Sequence, residues 1–120
     1  MPDGEKYVSQ EPGKQGNYGK GLKLLDKVPS AKATSNVYTG PACDASTLKY
    51  ATCQVDGTFT GTVNVEGSND DDPLNATWFA LCTPPTAAGL VALTMPIRWV
   101  RARVSGFSAG TVSAKLHGVA

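Results

Sequence analysis

Three groups of side chains in this chain could carry chemistry: a single histidine, a run of aspartates, and arginines alternating beside a tryptophan. His117 is the only histidine and stands outside any metal-ligand spacing. A zinc site or a catalytic triad needs partners that converge on the imidazole, and no nucleophile-elbow sequence accompanies this one. We therefore predict that His117 is a neutral surface residue, that the protein is not an enzyme, and that it uses no cofactor.

The run Asn69, Asp70, Asp71 and Asp72 offers oxygen atoms of the kind that bind Ca²⁺. The spacing differs from a calcium-binding EF-hand, which needs a glycine at its sixth position and a glutamate at its twelfth. Three adjacent carboxylates repel one another, and a bound cation would relieve that repulsion. Charge runs are usually solvated, so we predict an exposed loop tip, with a cation site as the alternative.

The three cysteines, Cys43, Cys53 and Cys82, are odd in number and widely spaced. That pattern is neither a disulfide framework nor a zinc-binding pair of the Cys-x-x-Cys type. We predict free thiols that behave as small apolar side chains in a protein made in a reducing cytosol.

The arginines beside a tryptophan, the third group, lie in residues 97–106, a stretch whose pattern predicts a β-strand. Successive strand side chains point to opposite faces, so Val100 and its even-numbered neighbours suit a core, while Trp99, Arg101 and Arg103 face outward. Arginine and tryptophan together are typical of protein interfaces, of sugar-stacking sites and of single-stranded nucleic-acid sites. In the alternative interpretation both faces are covered, Trp99 belongs to the core, and the arginines pair with acids.

Residues 111–116 alternate in the same way, and the segment 106–110 between the two runs contains two glycines. This arrangement predicts a β-hairpin with a five-residue loop. In that hairpin Lys115 would lie across from the arginines and join them in one binding surface.

The rest of the chain contains further short apolar or alternating runs, each bounded by glycine, proline or polar turn residues. No apolar period of 3.6 residues persists for the length of a helix. The pattern predicts an all-β, antiparallel sandwich or barrel of about eight short strands. The predicted strands cover residues 22–28, 34–38, 48–55, 58–66, 77–82, 89–95, 97–105 and 111–116.

Residues 1–21 are rich in glycine, lysine and other polar residues, and they cannot bury enough apolar surface to fold alone. We predict an extended N-terminal arm before a single β domain, residues 22–120. The net charge of +1 indicates neither a nucleic-acid nor a membrane partner, and the chain lacks a signal-peptide pattern and an apolar run of about 20 residues. The arm's candidate partner-binding residues are Tyr7, Lys14, Tyr18 and Lys20.

Half of the chain resembles small structural proteins of tailed bacteriophages. The resemblance rests on four segments in a fixed order: VNVEGSND (63–70), WFAL (78–81), WVRARVSG (99–106) and GTVSAKL (110–116). It covers residues 58–118. Residues 71–76 lengthen one loop relative to that pattern, and the N-terminal arm has no counterpart in it.

Many proteins of that group are capsid decoration, or cement, proteins. The resemblance implies a jelly-roll-like β-sandwich that binds as a homotrimer to the outside of the virion head and stabilises contacts between subunits of the major capsid protein. We therefore expect synthesis in the host cytoplasm and assembly onto the capsid exterior. Other members belong to the tail, so the alternative is a host-adsorption module that recognises a surface glycan through Trp99.

Overall fold

The computed structural model describes residues 19–120, and they form an antiparallel, curled β-sheet with no α-helix in that range. Two 3-10 turns, Ser30–Lys32 and Pro73–Asn75, interrupt the strands. The strands are β1 (Gly19–Pro29), β2 (Tyr38–Thr39), β3 (Cys43–Asp44), β4 (Tyr50–Asp56), β5 (Phe59–Ser68), β6 (Phe79–Ala80), β7 (Gly89–Ala92) and β8 (Trp99–Val119).

The long strand β8 is the centre of the sheet. Strands β4 and β5 follow one another along one of its edges, and β1, β2 and β3 follow one another along the other edge. Strands β7 and β6 form an outer row, paired with β4 and β5 respectively. Every pairing is antiparallel, which confirms the predicted all-β, antiparallel class.

Strand β8 curls because the chain ties its two ends together. At about 3.3 Å per residue its 21 residues would extend about 65 Å, yet the longest dimension of the molecule is 48 Å. Asp44 pairs with Trp99 at one end of β8, and Tyr50 pairs with Val119 at the other. The short connection between Asp44 and Tyr50 therefore holds the two ends close to each other.

The curled sheet encloses one apolar core. Val100, Ala102 and Val104 are fully buried, as their parity predicts, and so are Val112 and Ala114 in the second half of the same strand. The largest other buried side chains come from β1, β4, β5, the turn before β4, and the bend and second half of β8: Leu24, Leu48, Val55, Val63, Val65, Phe107 and Leu116.

The predicted hairpin at residues 106–110 is wrong, because β8 continues through that segment. Backbone groups in and just after this segment bond to neighbouring segments: the Phe107 N–H donates to the Asn36 carbonyl, and the Thr111 N–H donates to the Thr58 carbonyl. Ala109 and Gly110 pair with Thr60 and Phe59 of β5. Gly106 and Gly110 have φ angles of +59° and +89°, so they bend the strand without reversing it.

Three other predicted strands are shorter or differently shaped than expected. Residues 34–37 form a tight turn, in which Thr34 and Val37 exchange backbone hydrogen bonds around Ser35 and Asn36, both at positive φ, and Tyr38 begins β2. Of residues 89–95, only Gly89–Ala92 form a strand. In 77–82 only Phe79 and Ala80 are paired as a strand. Residues 19–21, which the sequence assigns to the N-terminal arm, belong to β1, and residues 1–18 lie outside the described residues.

All three cysteines are free in the structure, and burial raises the pKa of each thiol. Cys53 is fully buried on β4, and burial, with a smaller contribution from Cys82, raises its pKa from 9.0 to about 12. A group with a raised pKa stabilises the fold below its unfolded pKa, and this contribution disappears as the pH rises through the folded value.

We therefore expect the stability to fall between about pH 9 and pH 12 as the unfolded chain releases the Cys53 proton. At pH 10 the loss is about 1.4 kcal/mol. Urea unfolding at a series of pH values checks this, with Cys53→Ala as the control, because its free energy of unfolding should decline less steeply over the same range. Parallel slopes for the two proteins would contradict the burial argument.

Candidate functional site

The candidate site lies on the outer face of the sheet, over the first half of β8. Glu66 of β5 stands directly opposite Arg101, and its carboxylate bonds both arginines of the predicted row. Glu66 Oε1 lies 2.9 Å from Arg101 Nε, and Glu66 Oε2 lies 3.2 Å from Arg103 Nη2. The Glu66 side chain is only 12% exposed, so this carboxylate is shared between two guanidinium groups in a largely dry setting.

Trp78 covers this ion pair from the loop that precedes β6. The Arg101 guanidinium carbon lies 4.2 Å from the centre of the Trp78 ring, a stacking geometry that attracts a cation to the aromatic face. Arg101 is therefore held on two sides, by a carboxylate and by an indole. We name Glu66, Trp78, Arg101 and Arg103 the arginine cluster.

Two of the aspartates that the sequence singles out bond the backbone of the loop that carries Trp78. Asp70 accepts a hydrogen bond from the Thr77 N–H at 2.8 Å, and Asp72 accepts from the Leu74 N–H at 2.9 Å. The third, Asp71, is exposed and pairs with Arg98 at 2.7 Å, so the three carboxylates have separate partners. Within residues 19–120 no group of three or more His, Cys, Asp or Glu side chains could hold a metal ion.

Trp99 is half-buried, and its indole N–H donates to the Asp70 carbonyl oxygen at 3.1 Å. Arg98 lies near its ring, 5.9 Å from the ring centre to the guanidinium carbon. The structure thus agrees better with the alternative interpretation of the sequence, because the arginines pair with an acid and Trp99 is partly covered. A glycan could not take the Trp99 N–H without displacing the aspartate loop.

Lys115 does not join the arginines, because there is no hairpin to bring it across. It lies in the second half of β8, between Lys23 of β1 and Gln54 of β4. His117 is exposed on the same face, between Gly21 and Thr52. The sequence prediction of a single surface that includes Lys115 is therefore wrong in its geometry.

The candidate residues of the N-terminal arm have different outcomes. Lys20 is an exposed residue of β1 and pairs with Gly118. Tyr7, Lys14 and Tyr18 lie outside the described residues, and their predicted role in partner binding stays a prediction.

Sequence reasoning missed two members of the arginine cluster, Glu66 and Trp78. A signal for Glu66 was present, because Asn64 and Glu66 alternate with Val63 and Val65 and so share one outer face. What the sequence alone could not supply was the pairing of β5 with β8, which places Glu66 beside an arginine 35 residues away.

Comparisons with protein-family models, with curated proteins and with solved structures find no match to this chain. No helix within residues 19–120 is long and apolar enough to span a membrane.

Proposed function

We propose that this protein is a structural component of a tailed-bacteriophage virion, a decoration protein that binds the outside of the capsid and stabilises contacts between major capsid subunits. One observation carries the proposal. Three of the four segments that resemble phage structural proteins meet at the arginine cluster, through Glu66, Trp78 and the pair Arg101 and Arg103. Residues of the shared motifs therefore contact one another in the fold, and these contacts hold one half of the sheet together.

Exposed apolar side chains on β4, β6 and β7 support a protein that is covered by partners in its working state. Tyr50 is 70% exposed, Leu90 66% and Phe79 67%, and the last two lie on the outer strands β7 and β6. Short edge strands with uncovered apolar side chains are typical surfaces for association with other subunits. Leu74, in the aspartate loop, is 91% exposed.

The proposal includes finer features of fold and assembly. For a decoration protein we propose that the curled sheet is a jelly-roll-like sandwich, that residues 1–18 of the predicted arm lie across the capsid, and that three copies assemble about a local three-fold axis. A trimer that matches this axis gives each subunit an equivalent contact. The predicted partner-binding residues contribute to these contacts: Tyr7, Lys14, Tyr18, Lys20, Trp99, Arg101, Arg103 and Lys115.

We expect wild-type protein to sediment as a trimer of about 38 kDa, three chains of 12.5 kDa each. The variant Phe79→Ser should remain folded, because this side chain is already 67% exposed, yet its trimer fraction should fall at least about tenfold. Analytical ultracentrifugation measures this fraction.

A matched control is Thr60→Ser, an exposed position on β5 away from the outer strands, which should leave the trimer fraction unchanged. Sedimentation of the wild type as a monomer at all concentrations would remove the trimer from the proposal.

A further inference from the structure

Two lysines stand directly opposite each other on the outer face of the sheet, in its second half. Lys23 of β1 pairs in register with Lys115 of β8, and both are exposed. Like charges directly opposite each other on neighbouring strands destabilise a sheet. The first half of the same face has the reverse arrangement, with Glu66 opposite Arg101. The lysine pair therefore adds nothing to the stability of the isolated fold, and its charge is available to a ligand.

The acids around the lysine pair do not neutralise it. A cavity of about 510 Å³ beside the pair is lined by three lysines and two aspartates: Lys23, Lys27, Lys115, Asp26 and Asp56, together with Ser113. Asp26 lies 3.9 Å from Lys23, with both side chains about two-thirds exposed, a geometry in which ion pairs are weak. The carboxylate of Asp56 accepts a hydrogen bond from the Gln54 amide. Among the described residues that line this cavity, one positive charge remains in excess.

A groove of mixed lining includes the lysine pair at one end and Leu90 at the other. Register pairing places Lys23, Lys115, Gln54 and Leu90 in one row across four strands. The groove of about 390 Å³ is lined by this row and by Leu22, Thr52 and His117, among others. Neighbouring strands are about 4.8 Å apart, so Leu90 lies about 10 Å from Lys115 and about 14 Å from Lys23.

We propose that this groove, which we name the lysine groove, binds an extended acidic segment of a partner protein. Carboxylates of the segment pair with Lys23 and Lys115, and an apolar side chain lies against Leu90. An extended chain advances about 3.3 Å per residue, so the acid and the apolar residue stand three or four positions apart. The segment crosses the strands instead of extending the sheet.

The choice of a protein segment follows from the mixed lining of the groove. Nucleic acids and anionic membranes are held through many phosphate contacts on broad basic surfaces, whereas here one small basic end is joined to an apolar one. The identification of the partner as the capsid exterior rests on the proposed function. The binding chemistry of the lysine groove does not depend on it.

The test uses a peptide probe and the full-length protein. The probe is acetyl-Gly-Glu-Glu-Ser-Gly-Leu-Gly-amide, and its control carries glutamine in place of both glutamates. Titration followed by ¹⁵N–¹H correlation NMR should shift the amides of Lys23, Gln54 and Leu90, and the probe should bind at least about tenfold more tightly than its control.

Three variants locate the binding energy. Lys115→Glu should weaken the probe's affinity at least about tenfold, while Lys32→Glu, an equal charge change on the exposed turn after β1, should change it less than twofold. Leu90→Ser should weaken binding about threefold or more. The dispersed NMR spectrum of each variant establishes that it is folded.

Equal affinity for the probe and its glutamine control, or equal losses for Lys115→Glu and Lys32→Glu, would overturn the inference. Tighter binding of a short oligothymidine or of phosphatidylglycerol vesicles than of the probe would also overturn it. If the protein binds the probe but is absent from virion heads, the capsid role is refuted and the lysine groove stands. If the protein is present on virion heads but does not bind the probe, the lysine groove is refuted and the capsid role stands.

Discussion

Replacing Gly110 with alanine is expected to lower the free energy of unfolding by about 3 kcal/mol and the melting temperature by about 12 °C. Gly110 has a φ of +89°, a conformation that costs an L-residue about 1 kcal/mol or more. A β-carbon there would also overlap the Thr58 carbonyl oxygen and lie 2.6 Å from the α-carbon of Phe59. The two strands would have to separate where β8 bends.

The matched control is Gly106→Ala, four residues earlier in the same bend. Gly106 also has a positive φ, +59°, but an added β-carbon would meet no atom within 4 Å. We expect only the conformational cost, about 1 kcal/mol, or about 4 °C. Thermal unfolding followed by circular dichroism measures both variants. Similar losses at the two glycines would show that Gly110 does not lie against β5 and that β8 does not bend as described.

Replacing Glu66 with alanine is the second change with a large expected effect, a loss of about 2–3 kcal/mol. The substitution leaves the Arg101 and Arg103 side chains, 24% and 34% exposed, without the carboxylate that they share. Glu66→Gln keeps the shape and some hydrogen bonds but removes the charge, so it should cost about half as much. Chemical denaturation gives the free energies.

Asp71→Ala is the informative comparison. Asp71 and Arg98 form the shorter ion pair, 2.7 Å, but the Asp71 side chain is 98% exposed. Exposed ion pairs are screened by water and often contribute nothing measurable to stability. The burial of an ion pair therefore matters more than its N–O distance, and we expect no detectable change in the free energy of unfolding. If Asp71→Ala were as destabilising as Glu66→Ala, the arginine cluster would not have the structural role that we assign to it.

Local patterns in the sequence predict most strands and the direction of their side chains. Alternation in 97–105 and 111–116 identifies the buried face of both halves of β8, because period two is a property of a single strand. Gly106 and Gly110 lead to the wrong prediction of a hairpin, since glycines at positive φ occur both in turns and in bends. Whether the chain turns or bends there depends on Asn36 and Thr58, whose carbonyl groups accept hydrogen bonds from the Phe107 and Thr111 N–H groups of β8.

The candidate site is less predictable because it depends on strand order. Trp99, Arg101 and Arg103 share one face by parity alone, but their partners come from β5 and from the loop before β6. Lys115 shares the same parity, yet the curl of β8 and its flanking strands place it beside Lys23. Contacts between residues distant in sequence are set by the topology, which no local pattern encodes.

Electron cryomicroscopy of the virion that contains this protein tests the central proposal most directly. We predict density for the curled sheet on the outside of the head, in groups of three at positions where major capsid subunits meet. Density confined to the tail, or particles whose heads contain no copies of the protein, would contradict a decoration function.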